Sequence, residues 1–222
     1  MRNKIKFTAV SISWTEGGIM HFDVKASVGS VIFIDWGDGR TTAHSFHNER
    51  EMVKFSHNYF PENYSNPPDG QAFDVEISAN PDCRIIGFDL RPADMIAIDL
   101  DVSACPELEK LTYGCYFNDG SSNLDLSHNT ALKYLNCSEC NFTKLDLAAN
   151  TALEYLDCSR NRLSHLSLTT NIALKELICE NNNMEKIFIY YAPQLRKAAF
   201  EDGNNIDDET KMRMQELILG EG

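Results

Sequence analysis

From Leu124 to Lys186 the apolar and polar positions recur at a period of 21, and LDLSHNTALKYLNCSECNFTK, LDLAANTALEYLDCSRNRLSH and LSLTTNIALKELICENNNMEK align without a gap. Leu132, Leu135, Cys137, Cys140 and Phe142 form the inward columns of the first copy, with Leu145 and Leu147 on the next return leg. The same columns hold Leu153, Leu156, Cys158, Asn161 and Leu163, then Leu174, Leu177, Cys179, Asn182 and Met184. A unit this short can bury its apolar face only against its neighbours, so the pattern predicts stacked coils, each with a strand, a turn and a return leg. Weaker copies flank the clear ones. Leu100, Val102, Leu108 and Leu111 match Leu124, Leu126, Leu132 and Leu135 at an offset of 24, the extra residues lying in GCYFNDGSSN. Ile187, Ile189, Leu195, Ala198 and Phe200 follow at 21, which makes about five coils. Beyond them IDDETKMRMQELILG places acids in a first turn, Met214, Leu217 and Ile218 on one face and Gly220 as a stop, which predicts a cap helix over 207–219.

The first 80 or so residues follow a period of two instead, as in Phe22, Val24 and Ala26 against His21, Asp23 and Lys25, and again in Phe73, Val75 and Ile77. Such runs, broken by Gly, Asn and Pro, predict an antiparallel sandwich. Within them, Ile34-Asp35-Trp36-Gly37-Asp38-Gly39, then His57-Asn58-Tyr59 and the strand FDVEISAN resemble the PKD domain family. The repeat columns resemble the leucine-rich repeat family, in the short bacterial form that reads TALxxLxCxxNxLxxLDL. The expected fold is therefore mainly β with a small α part: a PKD/Ig-like antiparallel β-sandwich over 1–82, joined to a short leucine-rich repeat solenoid over 83–222. CRIIGFDLRPADMIAIDL carries no run of Gly, Ser or charge to make a flexible linker, so residues 83–97 are expected to cap the solenoid directly.

The polar columns have a mechanical purpose. A buried turn leaves backbone groups without partners, and a stacked amide can bond its own coil and the next. Asn161 and Asn182 are the expected ladder, with Cys140 in place of the first rung; Asn129, Asn150 and Asn171 serve the opposite corner, with Cys105 one coil earlier. Cys137, Cys158 and Cys179 stack inward at about 4.8 Å, too regular a ladder for an unstrained disulfide. Cys137 and Cys140 form a CxxC with no second ligand pair at zinc spacing, so the cysteines read as small core residues.

A net charge of −13 over 222 residues, most of it in the solenoid half, repels phosphate backbones and anionic lipid heads. Nucleic acid is not an expected partner, and no apolar run reaches the length of a membrane span, so membrane insertion is not expected either. MRNKIKFTAVSISW has basic residues without an apolar core, so no signal peptide is expected: either a leader has been removed or the protein is cytoplasmic.

Asp35 and Asp38 stand at alternate positions, as calcium ligands do, but a WGDG turn uses Asp and Gly for its own geometry. His44, His47 and His57 lie in no metal-binding frame. No metal, no cofactor and no catalytic residue is expected, since nucleophile elbow, P-loop and dinucleotide fingerprint are all missing from the sequence. Function is expected on the outward face of the strand stack: Tyr134, Asn136 and Ser138, then Tyr155, Asp157 and Ser159, then Glu176, Ile178 and Glu180. A tyrosine offers an apolar face and a polar tip, which suits a sugar ring or a peptide. Five strands make a patch of about 250 Å², against about 800 Å² from each partner in a stable protein interface. The expectation is a non-catalytic protein that binds a glycan, peptide or protein, or else a spacer or assembly module, or the accessory part of a hydrolase system. Both family resemblances imply an extracellular or cell-surface setting.

Overall fold

The computed structural model describes residues 3–11, 18–48, 51–60, 70–91, 95–114 and 124–219. Eight strands come from the alternating half: β1 (Lys4–Ser11), β2 (Ile19–Ala26), β3 (Val31–Asp35), β4 (Thr41–Ser45), β5 (Val53–Asn58), β6 (Ala72–Ala79), β7 (Ile85–Leu90) and β8 (Met95–Asp101). The repeats supply β9 (Lys110–Tyr113), β10 (Tyr134–Asn136), β11 (Tyr155–Asp157), β12 (His165–Ser167), β13 (Glu176–Ile178), β14 (Lys186–Phe188) and β15 (Lys197–Ala199), followed by one helix, α1 (Asp208–Leu219). The molecule is mainly β, with a β-solenoid of about five turns.

Two sheets face each other in the N-terminal unit. One has the order β4-β3-β6-β1-β8; the other is the β7-β2-β5 end of a larger sheet. Alternation fixes which side is buried: in β2, Met20, Phe22, Val24 and Ala26 point in, while in β6 Phe73, Val75, Ile77 and Ala79 do. Across the gap Phe22 touches Phe7 at 5.8 Å and Trp36 at 5.3 Å between ring centroids, and within its own sheet it meets Phe55 on β5 and Phe88 on β7, both at 5.7 Å. The hairpin from β3 to β4 needs Gly37, whose φ is +79° and where a Cβ would sit 2.6 Å from the Asp74 carbonyl oxygen.

The solenoid strands join the same sheet. Its full order is β15-β13-β11-β10-β9-β7-β2-β5, parallel from β15 to β7 and antiparallel from β7 to β5. The stretch 83–97, expected to cap the coils, does place β7 beside β9, but β7 also pairs with β2, and β8 pairs with β1 in the other sheet. The sequence could not separate these roles, because an apolar run such as Ile85–Leu90 fits a strand with neighbours on both sides, whichever unit they belong to. Return strands β12 and β14 form a small parallel sheet of their own. Helix α1 begins after Asp207, whose carboxylate accepts the Thr210 N–H at 2.7 Å, and it buries Thr210, Met214 and Leu217 over the last coil.

Candidate functional site

Side-chain amides hold the coils in register. Asn129, Asn150 and Asn171 each donate to two carbonyls of the preceding coil: Val102 and Cys105, Leu126 and Asn129, Leu147 and Asn150, at 2.8–3.1 Å. On the opposite corner Asn161 donates to the carbonyls of Cys137, Cys158 and Ser159 and accepts the N–H groups of Cys140 and Phe142. Asn182 donates to the carbonyls of Cys158, Cys179 and Glu180. Cys140 takes the first rung with its thiol, donating to the Tyr113 carbonyl at 3.2 Å. The sequence reading missed the last rung, Asn204, which donates to Cys179 and Phe200 and accepts from Met184. One additional residue before it shifts it from the expected column, where Gly203 stands with φ +67°. Cys105 reaches back to the Lys4 carbonyl at 3.5 Å, so β1 stands where an earlier coil would.

Behind the strands Cys137, Cys158 and Cys179 are fully buried. Burial pushes the Cys158 and Cys179 thiols well above the ordinary range, and the Cys105 thiol up to about 12, so they are poor nucleophiles.

The outward face carries all nine residues singled out in the sequence. Parallel pairing places Tyr134 beside Tyr155 beside Glu176, and Asn136 beside Asp157 beside Ile178. The two tyrosine rings stack at 4.4 Å with 2° between their planes, and the Lys110 ammonium lies 4.8 Å from the Tyr134 centroid. The ring faces are thus turned on each other and on Lys110, not up toward solvent; what the pair offers outward is ring edges and hydroxyls. Burial, together with the neighbouring Tyr134 and Asp157, raises the Tyr155 phenol to about 12, so it stays a neutral donor at physiological pH.

The polar residues at the strand ends have internal partners. Asn136 Oδ1 accepts the Ser138 N–H and hydroxyl at 3.1 and 2.9 Å; Asp157 Oδ1 accepts those of Ser159 at 3.1 and 2.6 Å, and Asn136 donates to Asp157 Oδ2 at 3.3 Å. These Asx turns end the short strands. Ser138 and Ser159 are therefore turn residues first, Tyr134, Tyr155, Ile178 and Glu180 are half-buried, and Glu176 shares its carboxylate with Lys197 at 3.6 Å.

The WGDG and HNY residues meet in a second polar cluster. His57 stacks on Trp36 at 4.5 Å and donates to Asp38 at 2.9 Å, and Arg40 pairs with the same carboxylate. The Tyr59 hydroxyl donates to the Trp36 carbonyl, and the Trp36 indole N–H to Thr42. Asp35 accepts the Gly37 N–H at 3.0 Å, as a turn residue does. His44 packs edge-on against Phe46 and Phe55, and His47 is exposed. Among the described residues no group of three or more His, Cys, Asp or Glu side chains is arranged to hold a metal ion. No helix among them is long and apolar enough to cross a membrane.

No family model matches the chain, and no curated protein matches it. Among solved structures it is similar to the functional domain of InlJ from Listeria monocytogenes, which is described as including a cysteine ladder, with 30% identity and a TM-score of 0.36. The match covers 50% of this chain and 29% of that one.

Proposed function

We propose that the chain is a non-catalytic binding module in which a PKD-like N-terminal unit and a leucine-rich repeat solenoid share one sheet and present its outer face to a glycan, peptide or protein. The observation that supports it best is the stacked Tyr134–Tyr155 pair, two large side chains held rigidly on an outward surface beside a carboxylate and an amide. Rings already ordered by stacking lose little freedom on meeting a ligand, which favours affinity. In this reading the protein acts at a cell surface or outside the cell, as the resemblance of both units implies, and has no use for nucleic acid.

A second reading, a spacer or assembly module, draws support from the partners that Asn136, Ser138, Asp157 and Ser159 find among themselves. One screen separates the two. The purified chain is applied to immobilised glycans, peptides and matrix proteins, with a Tyr134→Ala, Tyr155→Ala double variant beside it. Binding that disappears in a folded double variant is the expected result; binding unchanged in that variant would sink the strand-face proposal.

A further inference from the structure

We infer that the binding strip continues past the solenoid along all eight strands of the shared sheet, and that its occupant is an extended peptide of split charge, acidic at one end and basic at the other. This rests on reading the strand face as a binding surface and adds to it an extent and a class of ligand.

Strand pairing carries the outward rows across the junction. Lys25 lies beside Gly87, Gly87 beside Lys110, and Lys110 beside Tyr134; from there the row passes through Tyr155 and Glu176 to Lys197. The next row runs from Lys54 through Asp23, Asp89, Asn136 and Asp157 to Ile178, passing Thr112, which is buried at 3% exposure, so at β9 the strip is open to solvent through Lys110. Charge along these rows is sorted by sign. At the β5–β9 end stand Lys25, Lys54 and Lys110, none with a carboxylate within ion-pair distance among the described residues, against one aspartate, Asp23; Asp89 is engaged by Arg91. At the β11–β15 end Asp157 and Glu176, joined by Glu180 just past the end of β13, face a single lysine, Lys197.

The flanking turns are different. There Lys133 meets Glu109 at 3.1 Å, Lys175 meets Glu154 at 2.7 Å and Arg160 meets Glu139 at 2.7 Å, so neighbouring coils neutralise each other. On the face itself one such pair remains, Glu176 with Lys197 at 3.6 Å, and beyond it like charges gather, an arrangement that complements a ligand of opposite polarity at both ends. A neutral glycan gains nothing from it. Nor do the tyrosines favour stacking a sugar, since they cover one face of each other and Lys110 lies over the Tyr134 ring. Seven inter-strand steps of about 4.8 Å span roughly 34 Å, the reach of about ten residues of extended chain laid across the strands.

The test uses the intact chain and fluorescence anisotropy at low salt. The probes are a synthetic peptide of about a dozen residues with an acidic block, a central tryptophan and a basic block; a peptide of the same composition with its charges alternating; and a set of neutral oligosaccharides. The block peptide is expected to bind about tenfold more tightly than the alternating one, and Lys25→Glu with Lys54→Glu to remove about tenfold of its affinity. These lysines lie outside the solenoid, so an unchanged affinity there, with binding still lost in the Tyr134→Ala, Tyr155→Ala variant, would overturn the extended strip and leave the strand-face reading standing. Affinity untouched by the tyrosine variant would instead remove the strand-face reading itself. Equal affinity for the two peptides, no affinity for either, or binding of oligosaccharides alone would overturn the split-charge peptide.

Discussion

The two halves of the molecule share a sheet and yet hold their interiors by different means. Around Phe22 the N-terminal unit gathers Phe7, Trp36, Phe55 and Phe88, few side chains with large contact areas, between strands of five to eight residues. In the solenoid the strands are three or four residues long, the inward groups are leucines and thiols, and amide side chains bond the turns. The first is held by a hub and the second by repetition. A hub concentrates the cost of damage at one position, whereas a ladder distributes it over equivalent rungs.

The strongest challenge to that contrast is Phe22→Ala. Removing a fully buried ring from the centre of four others is expected to cost about 4 kcal/mol. Because β2 holds β7 and β7 holds β9, urea unfolding should remain one transition at a lower midpoint; two separate transitions would show that the shared sheet does not couple the halves.

A smaller effect is expected from the ladder. Asn161→Ala strips partners from three carbonyls and two N–H groups, for a loss of about 3 kcal/mol, while Asn204→Ala in the half-buried last coil should lose about 1 kcal/mol. Equal losses at the two rungs, measured by the same unfolding curves, would contradict the view that end coils contribute less.

The smallest effect belongs to pH and should strike the N-terminal unit. Burial lowers His57 below its ordinary 6.5 despite the hydrogen bond to Asp38. Burial alone would raise Asp38, yet hydrogen bonds from Arg40 and His57 hold it at about 2. Below pH 6.5 the unfolded chain takes up a proton at His57 that the folded chain resists, so stability falls; a second fall follows from about pH 4 toward 2, as the unfolded Asp38 protonates ahead of the folded one. His57→Gln should flatten the first step in a plot of urea midpoint against pH. A first step that survives the substitution would assign it to another group.

How far the fold was legible in the sequence follows the same division. A strict period of 21 announces its coils, and it placed Asn161, Asn182, Cys140 and the inner asparagine column correctly. It failed where the period slips: one residue ahead of Asn204 was enough to hide a rung whose hydrogen bonds match the others. In the N-terminal unit alternation located strands such as β2 and β6 but not their neighbours, because partner choice depends on contacts distant in sequence. Strand β7 was accordingly assigned to the solenoid when it pairs with strands of both units, while β8 pairs with β1. On the candidate face the sequence named the outward residues. It could not say that the tyrosines would turn their faces to each other, a matter of rotamers and strand spacing, nor that the row would continue to Lys25.

The asparagine ladder also bears on how this molecule could change over generations. Each rung bonds only its own coil and the adjacent one, at offsets that repeat as 21 and 24 residues, so no rung depends on how many coils lie beyond. An in-frame duplication of one 21-residue block would therefore add a coil without disturbing either end, and would lengthen the outer face by one strand spacing, about 4.8 Å. Ligand length thereby becomes a trait adjustable in discrete steps, with the aromatic hub at one end and the helix at the other left untouched.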